Sequence, residues 1–358
     1  MLSLIPVYLL NWKSLPRPII ALSPMADMTD SAFCRVVRLA AGSVQLAAPK
    51  FELNNLAASC SLPAAGYPIM FREMVSSEAV VRGNEKTLGM TDIHPDERPL
   101  VQQIFGSEPA TMAESARIIE AQHHPEGFDI NMGCPVYKIT HNFNGAALMK
   151  EPARATAIIK AMKAVITVPL SVKIRAGWSD KTECFEFAKA IEDAGADLIT
   201  VHGRTKVQGY SGKSEWDVIR QAKEKVSIPV LANGDIHSPT LVPGALKQTG
   251  CDGVLIARGA LGNPWFFRDT ADVLAGKEPV HITLEERIRV VLMHARLHAE
   301  QHGQGGITTL RKHLSWYFKG QPGVKEWREK MMKMTTLEEL EEVLGQMMGV
   351  TVLVRRTS

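Results

Sequence analysis

Cys134 stands between Gly133 and Pro135, at the end of the short apolar run FDINMG. A lone thiol at a strand end is more often a small packed hydrophobe than a reactive group. Its company argues otherwise. FDINMG also carries Asn131, and LSVKIRAG carries Lys173 and Arg175, which share one face because strand residues alternate. LITVHGRT ends in His202, Gly203 and Arg204, IPVLANGDI in Asn233, Gly234 and Asp235, and GVLIARGA holds Arg258 and Gly259. Taken singly, the histidine, the lysine and the NGD turn have ordinary structural uses. Cations repeated at one end of successive strands are costly unless they face a ligand or each other. A thiol, an ammonium and an imidazole in one place can move protons and offset negative charge.

The elements that must position these residues follow one theme from about residue 19 to 262. Short β-branched runs, bounded by Gly or Pro, alternate with segments of helical periodicity. The strand candidates are 19–25, 100–106, 128–133, 170–177, 198–205, 228–236 and 253–260, with helices such as 151–165 and 184–196 between them. That alternation predicts parallel strands with helical crossovers. An eighth strand between residues 43 and 76 completes a (β/α)8 TIM barrel, with SVQLAAP and YPIMFREMVSS both candidates for it. A doubly wound dinucleotide fold needs a glycine-rich turn after the first strand, and SPMADMTD has no glycine. From about residue 282 the pattern is helical throughout. The expected division is a barrel over 1–275 and a smaller all-helical domain over 276–358.

Bulk properties narrow the function classes. With 45% hydrophobic and 22% charged residues, the 358-residue chain has a soluble, globular composition. The apolar start MLSLIPVYLL is too short to span a membrane and lacks a basic segment or cleavage site. A cytoplasmic monomer without a membrane partner is expected. Five scattered cysteines with no CxxC give neither a disulfide framework nor a structural zinc site, and no metal is expected. A formal net charge of +3 is compatible with a nucleic-acid partner without requiring one.

The ligand can be narrowed by the strand ends. Loops after the seventh and eighth strands of such barrels commonly hold a phosphate, using backbone N–H groups and a cation. NGD and ARG supply glycines, and Arg258 supplies charge. A lysine and a histidine farther round the rim suit a planar ring with carbonyl oxygens. FMN fits both. Neither GxGxxG nor a Walker A sequence is present.

The motifs SPMADMTDSAF, VQQIFGS, DINMGCPVYKI, NGAALM, SVKIRAGW, TVHGRT, ANGDI and RKHLSWYFKG together resemble a tRNA-dihydrouridine synthase, most similar to the bacterial B-type branch. The likeness runs from about residue 19 to 345. It implies an FMN-dependent barrel followed by a helical tRNA-binding domain, reducing a uridine in tRNA with NADPH as electron source. By matching motif, Pro24, Met25 and Ala26 would line the flavin, and Gln103 would hydrogen-bond its ring. Lys173 and His202 would contact ring and substrate. Asn233, Gly234, Asp235, Ala257 and Arg258 would cradle the phosphate, Asn131 and Arg175 would face the uracil, and Cys134 would be the proton donor. The chain departs from the family pattern at Asp27 and Ala257, where glycine is usual, and in the extra segment before REMVSSE.

The chemistry suits those groups. Hydride addition at uracil C6 builds negative charge toward O4 and C5, and C5 then needs a proton from a group still largely protonated at neutral pH, as a thiol is. A stacked base cannot reach a barrel mouth, so it must be flipped out. In the helical domain, Arg311, Lys312, Lys319, Lys325, Arg328 and Lys330, interleaved with Trp316, Tyr317 and Trp327, are either a solvated face over a packed core or a phosphate-contacting surface. Two other functions stay open: a flavin barrel acting on a free pyrimidine or small enone, and a non-catalytic RNA-binding relative.

Overall fold

A computed structural model describes residues 10–42, 68–321 and 323–348. Eight parallel strands close into a barrel in chain order: β1 (Ile19–Leu22), β2 (Ile69–Ser76), β3 (Leu100–Phe105), β4 (Gly127–Met132), β5 (Leu170–Gly177), β6 (Leu198–Thr205), β7 (Val230–Asn233) and β8 (Gly253–Ile256). The expected (β/α)8 architecture is therefore what the chain forms. YPIMFREMVSS supplies β2, while SVQLAAP lies outside the described residues. Three strands stop before their apolar runs do. In IPVLANGDI the chain leaves the sheet at Gly234 (φ 113°) and Asp235 (φ 57°), and in GVLIARGA it turns into the 3-10 segment Arg258–Ala260.

Contacts divide the chain into two compact units, 1–29 with 68–257 and 30–67 with 258–358. The first holds every barrel strand. The second groups the helix Ser31–Gly42 with Phe266–Leu274, Leu284–His302, Ile307–Tyr317, Val324–Met331 and Leu337–Met347. Its core joins Val36 and Ala40 to Trp265, Val291, Leu310, Leu314 and Leu344. No helix among the described residues is long and apolar enough to cross a membrane.

The register sorts the barrel interior into layers. At the end where the strands begin, Ala21, Phe71, Val101, Leu198, Leu231 and Leu255 meet Leu10 and Trp12, which close the floor. Trp12 stacks on Phe71 with ring centroids 6.0 Å apart. Burying the two floor side chains stabilises the barrel by roughly 2–3 kcal/mol each. Above this apolar floor the neighbours change character. Gln103 pairs in register with Asp129, and Asp129 with Ser171. Asn131 pairs with Lys173, Lys173 with Thr200, Arg175 with His202 and His202 with Asn233. Residues two apart on a strand share a face, so one apolar plug supports a polar rim.

Candidate active site

A buried carboxylate organises the middle of that rim. Asp129 is fully buried, and its two oxygens accept from Ser171 Oγ and from Gln103 Nε2, both at 2.6 Å. Because a carboxylate only accepts, Gln103 must turn its NH2 toward Asp129 and its oxygen away. That oxygen accepts from Asn131 Nδ2 at 2.9 Å, which turns the Asn131 oxygen toward the chain ahead. There it accepts from the backbone N–H of Gly133 at 3.1 Å and of Cys134 at 2.9 Å. One acid thus fixes the direction of two amides and holds the turn that carries the thiol. Burial pushes the Asp129 carboxyl up to about 6 against the hydrogen bonds from Ser171 and Gln103 and the charge of Lys173.

The other side of the turn is held by NGAALM. Cys134 O accepts from Ala146 N at 3.1 Å. Gly145 has φ 59°, and a Cβ there would lie 2.9 Å from Cys134 O and 3.1 Å from Cys134 Cβ. Glycine is required for both reasons. Cys134 remains half-buried, whereas Cys34, Cys184 and Cys251 are buried. Burial pushes the Cys184 thiol up to about 12 and Cys251 up to about 11.

Lys173, one register position from Asn131, has no hydrogen-bond or ion-pair partner among the described residues. Burial lowers its ammonium to about 8, with Arg175 acting in the same direction and Asp129 and Cys134 opposing. Arg175 directs its guanidinium at carbonyls: Nε to Gly133 O and Nη1 to Thr205 O and Gly209 O, each at 2.8 Å. Its CZ also lies 5.7 Å from the centre of the exposed Tyr210 ring. Arg175 therefore ties the Cys134 turn to the loop after β6.

His202 Nε2 lies 3.5 Å from Arg204 Nη1, which can only donate, so the imidazole offers its lone pair there. Arg204 Nη2 reaches Asp235 at 2.8 Å and Gly212 O at 2.7 Å. Burial would raise the Asp235 carboxyl, but the Ser214 N–H and Arg204 outweigh it and hold it below its ordinary range. Asn233 Nδ2 donates to Leu255 O at 2.6 Å, stitching β7 to β8. A Cβ on Gly234 would come within 2.6 Å of His202 Cδ2, and Trp216 Nε1 donates to Gly234 O at 2.9 Å. The NGD segment is thus a braced turn.

After β1, Pro24 and Met25 are half-buried and Ala26 exposed. The Thr29 hydroxyl accepts from Met25 N at 2.8 Å. Asp27, the departure from the glycine usual in the family, has φ 61°, with its N–H held by Glu73 Oε2 at 2.7 Å. The position asks for a left-handed backbone, which aspartate adopts more readily than most residues with a Cβ. Ala257 ends the barrel unit, and Arg258 opens the second unit. Residues that the sequence reading passed over are Asp129, Ser171, Ser214 and Trp216. Asp129 was visible in principle, as an acid two residues before Asn131 inside an apolar strand.

A polar rim on an apolar plug, with a half-buried thiol beside a lysine that has no side-chain partner among the described residues, defines an enzyme working at the carboxyl end of a (β/α)8 barrel. Among solved structures of like fold are a 2-naphthoyl-CoA reductase complex (TM-score 0.51, 11% identity, 73% of this chain and 50% of that one) and a histamine dehydrogenase from Rhizobium sp. 4-9 (TM-score 0.50, 10% identity, 78% and 48%). The chain spans about half the length of those two and shares their fold. The family profile described as Dihydrouridine synthase (Dus) matches residues 20–351. A probable tRNA-dihydrouridine synthase 1 from Synechocystis sp. is 36% identical over 90% of this chain and 84% of its own length. The tRNA-dihydrouridine synthase B of Pasteurella multocida is 35% identical over 84% of each. The chain belongs to the dihydrouridine synthase family.

The relay makes a measurable claim. Asp129→Asn offers one acceptor where two donors arrive, so a bond is lost or both amides reverse and the Cys134 turn loosens. Iodoacetamide should label Cys134 in the folded wild-type chain and leave Cys34, Cys184 and Cys251 untouched. In Asp129→Asn, Cys134 labelling should quicken severalfold at unchanged far-ultraviolet circular dichroism. Equal rates in both proteins would mean that Asp129 does not hold the turn.

Proposed function

We propose that this chain reduces a uridine in tRNA to 5,6-dihydrouridine, with FMN as bound cofactor, NADPH as reductant and Cys134 as proton donor. The observation that carries the reading is the Cys134 turn, pinned by Gly133 and Cys134 N–H to Asn131 and by Ala146 N–H to Cys134 O, with a half-buried thiol next to an ammonium that has no partner among the described residues. Names of the relatives supply the substrate class.

The donor set suits a flavin. Lys173 brings an uncompensated buried charge, which an electron-rich ring carbonyl would satisfy. Gln103 uses one N–H of its amide on Asp129, leaving the other for a ring atom. Asn233, Gly234, Asp235 and Ala257 would hold the phosphate end through backbone, with Arg258 next in the chain, and Pro24, Met25 and Ala26 would line the ring. Bound FMN would supply the hydride that reaches uracil C6. Lys173, with His202, offsets the negative charge that develops toward O4 and C5. Asn131 holds the Cys134 turn, Arg175 ties it to the loop after β6, and Cys134 passes its proton to C5.

In the helical unit, Lys319, Lys325, Arg328 and Lys330 are exposed and Tyr317 is buried. Lys319 lies 5.0 Å from the Trp316 ring centre and Lys330 4.5 Å from that of Trp327. Arg311 is committed to Met334 O. The four exposed cations are the ones we assign to tRNA phosphates.

The test of the reading is single turnover of the pre-reduced enzyme with unmodified tRNA. Cys134→Ala should bind flavin and oxidise NADPH normally, yet form dihydrouridine about 10²–10⁴-fold more slowly. Near-normal dihydrouridine formation would assign the proton to another group.

Lys173 gives a pH signature. Its folded value near 8 lies below the ordinary lysine range, so the charge is present below that pH and lost as pH rises through it. The kcat/KM for tRNA should fall above about pH 8, and Lys173→Arg should move the onset of that fall upward, to the range where a thiol proton donor is itself lost. An identical fall in the arginine variant would remove Lys173 from the charge-stabilising role.

Charge reversal at Lys319, Lys325 and Arg328 should weaken tRNA binding and make the log Kd against log salt slope shallower by about 0.7–0.9 per lost phosphate contact. NADPH oxidation should be unaffected. An unchanged slope would move the RNA surface elsewhere.

A further inference from the structure

The helix Leu284–His302 carries His294, His298 and His302 at successive intervals of four, so the three imidazoles lie along one face. That spacing is the one by which a single helix offers two imidazoles to one metal ion. Opposite them stands Asp30, the residue just before the helix Ser31–Gly42. Its Oδ1 caps that helix by accepting from Phe33 N at 2.9 Å. Its Oδ2 is turned the other way, 3.3 Å from His298 Nδ1 and 3.1 Å from His302 Nε2.

The hydrogen-bond bookkeeping at His298 closes only if a proton or a metal ion lies between its Nδ1 and Asp30. Thr309 Oγ1 gives its proton to Gly306 O at 2.7 Å, so it can only accept from His298 Nε2 at 2.8 Å. Nε2 therefore carries the ring proton, and a neutral imidazole then presents the Nδ1 lone pair to a carboxylate oxygen. With a neutral ring, two acceptors would face each other in a site where His298 is 1% and Asp30 5% exposed. His294, fully buried, adds a third: its Nε2 has no hydrogen-bond partner, and its Nδ1 lies 3.1 Å from Tyr317 Oη. The ligand atoms of Asp30, His294 and His298 all lie within 4.8 Å of one another. A tetrahedral ion with bonds of about 2.0–2.1 Å needs its ligands roughly 3.4 Å apart, a contraction within side-chain reach.

We propose that Asp30, His294 and His298 form a binding site for a divalent transition-metal ion of the zinc type. Two imidazoles and one carboxylate are a borderline-soft donor set that favours such an ion over magnesium or calcium. The outer partners suit it as well. Tyr317 Oη accepts the Nδ1 proton that a ligated His294 must carry, and Thr309 does the same for His298. His302, with its side chain 38% exposed, completes the set on the solvent side and offers the entry path. The site joins the helix Ser31–Gly42 to the helix Leu284–His302, so a bound ion crosslinks residues remote in sequence.

The experiment uses the full chain, purified with its natural cofactor content, treated with EDTA and titrated with Co2+ at pH 7.5. One equivalent should bind, with visible d–d absorption of a four-coordinate N/O site, and Zn2+ should displace it. Zn2+ should raise the melting temperature of the wild-type chain. Asp30→Asn and His298→Gln should lose both effects. Thr309→Val leaves every ligand in place and should weaken Co2+ about tenfold, so it decides the matter if the ligand variants do not fold. No stoichiometric Co2+ uptake by the wild-type chain would reduce the cluster to an imidazolium–carboxylate contact only and overturn the proposal. Undiminished affinity in Asp30→Asn, His298→Gln or Thr309→Val would overturn it equally.

Discussion

Asp129 accepts two hydrogen bonds at 2.6 Å and donates none, and that asymmetry propagates through the barrel mouth. An amide is symmetric in shape but not in polarity, so Gln103 and Asn131 could each sit either way round in an unbiased site. The acid removes the choice at Gln103, Gln103 removes it at Asn131, and Asn131 then presents an oxygen to two consecutive backbone N–H groups. A buried acid is expensive, as its upward shift shows. Since its folded value lies above its unfolded one, its contribution to stability is largest at low pH and is lost as pH rises through about 6. At neutral pH the fold carries this cost, and the positioned Cys134 turn is what it maintains.

The surrounding arginines belong to the same design. Arg175 and Arg204 have guanidinium groups directed at loop carbonyls and, for Arg204, at Asp235. Each converts a mouth loop from a free connection into a braced one, whereas Lys173 has no hydrogen-bond or ion-pair partner among the described residues.

Much of this was legible in the sequence. The alternation of β-branched runs with helical periodicity specified eight strands, and β5 and β6 run over the same residues as their motifs. Cys134, Lys173 and His202 were recognisable because reactive residue types at strand ends are rare by chance. The second strand was ambiguous because two apolar runs compete in one connection, and periodicity cannot say which one pairs. The direction of Arg175 was hidden for another reason. A residue's parity on a strand gives its face, whereas its hydrogen-bond partners come from loops remote in sequence, here Thr205 and Gly209. Asp129 was missed because an acid inside an apolar run reads as noise until its register partner, Ser171, is known.

The closing pair of the barrel has a kinetic consequence. β1 hydrogen-bonds β8, joining Ile19–Leu22 to Gly253–Ile256, and Leu10 and Trp12 pack on side chains from β6, β7 and β8. At ribosomal rates of about 5–20 residues per second, well over two hundred residues must follow β1 before its second edge can pair, roughly 10–50 s. Throughout that interval the nascent chain exposes one strand edge and an apolar floor without its covering. All other strand pairings join consecutive strands, so this one closing pair carries the long-range cost that slows such a fold and leaves an edge open to wrong pairing.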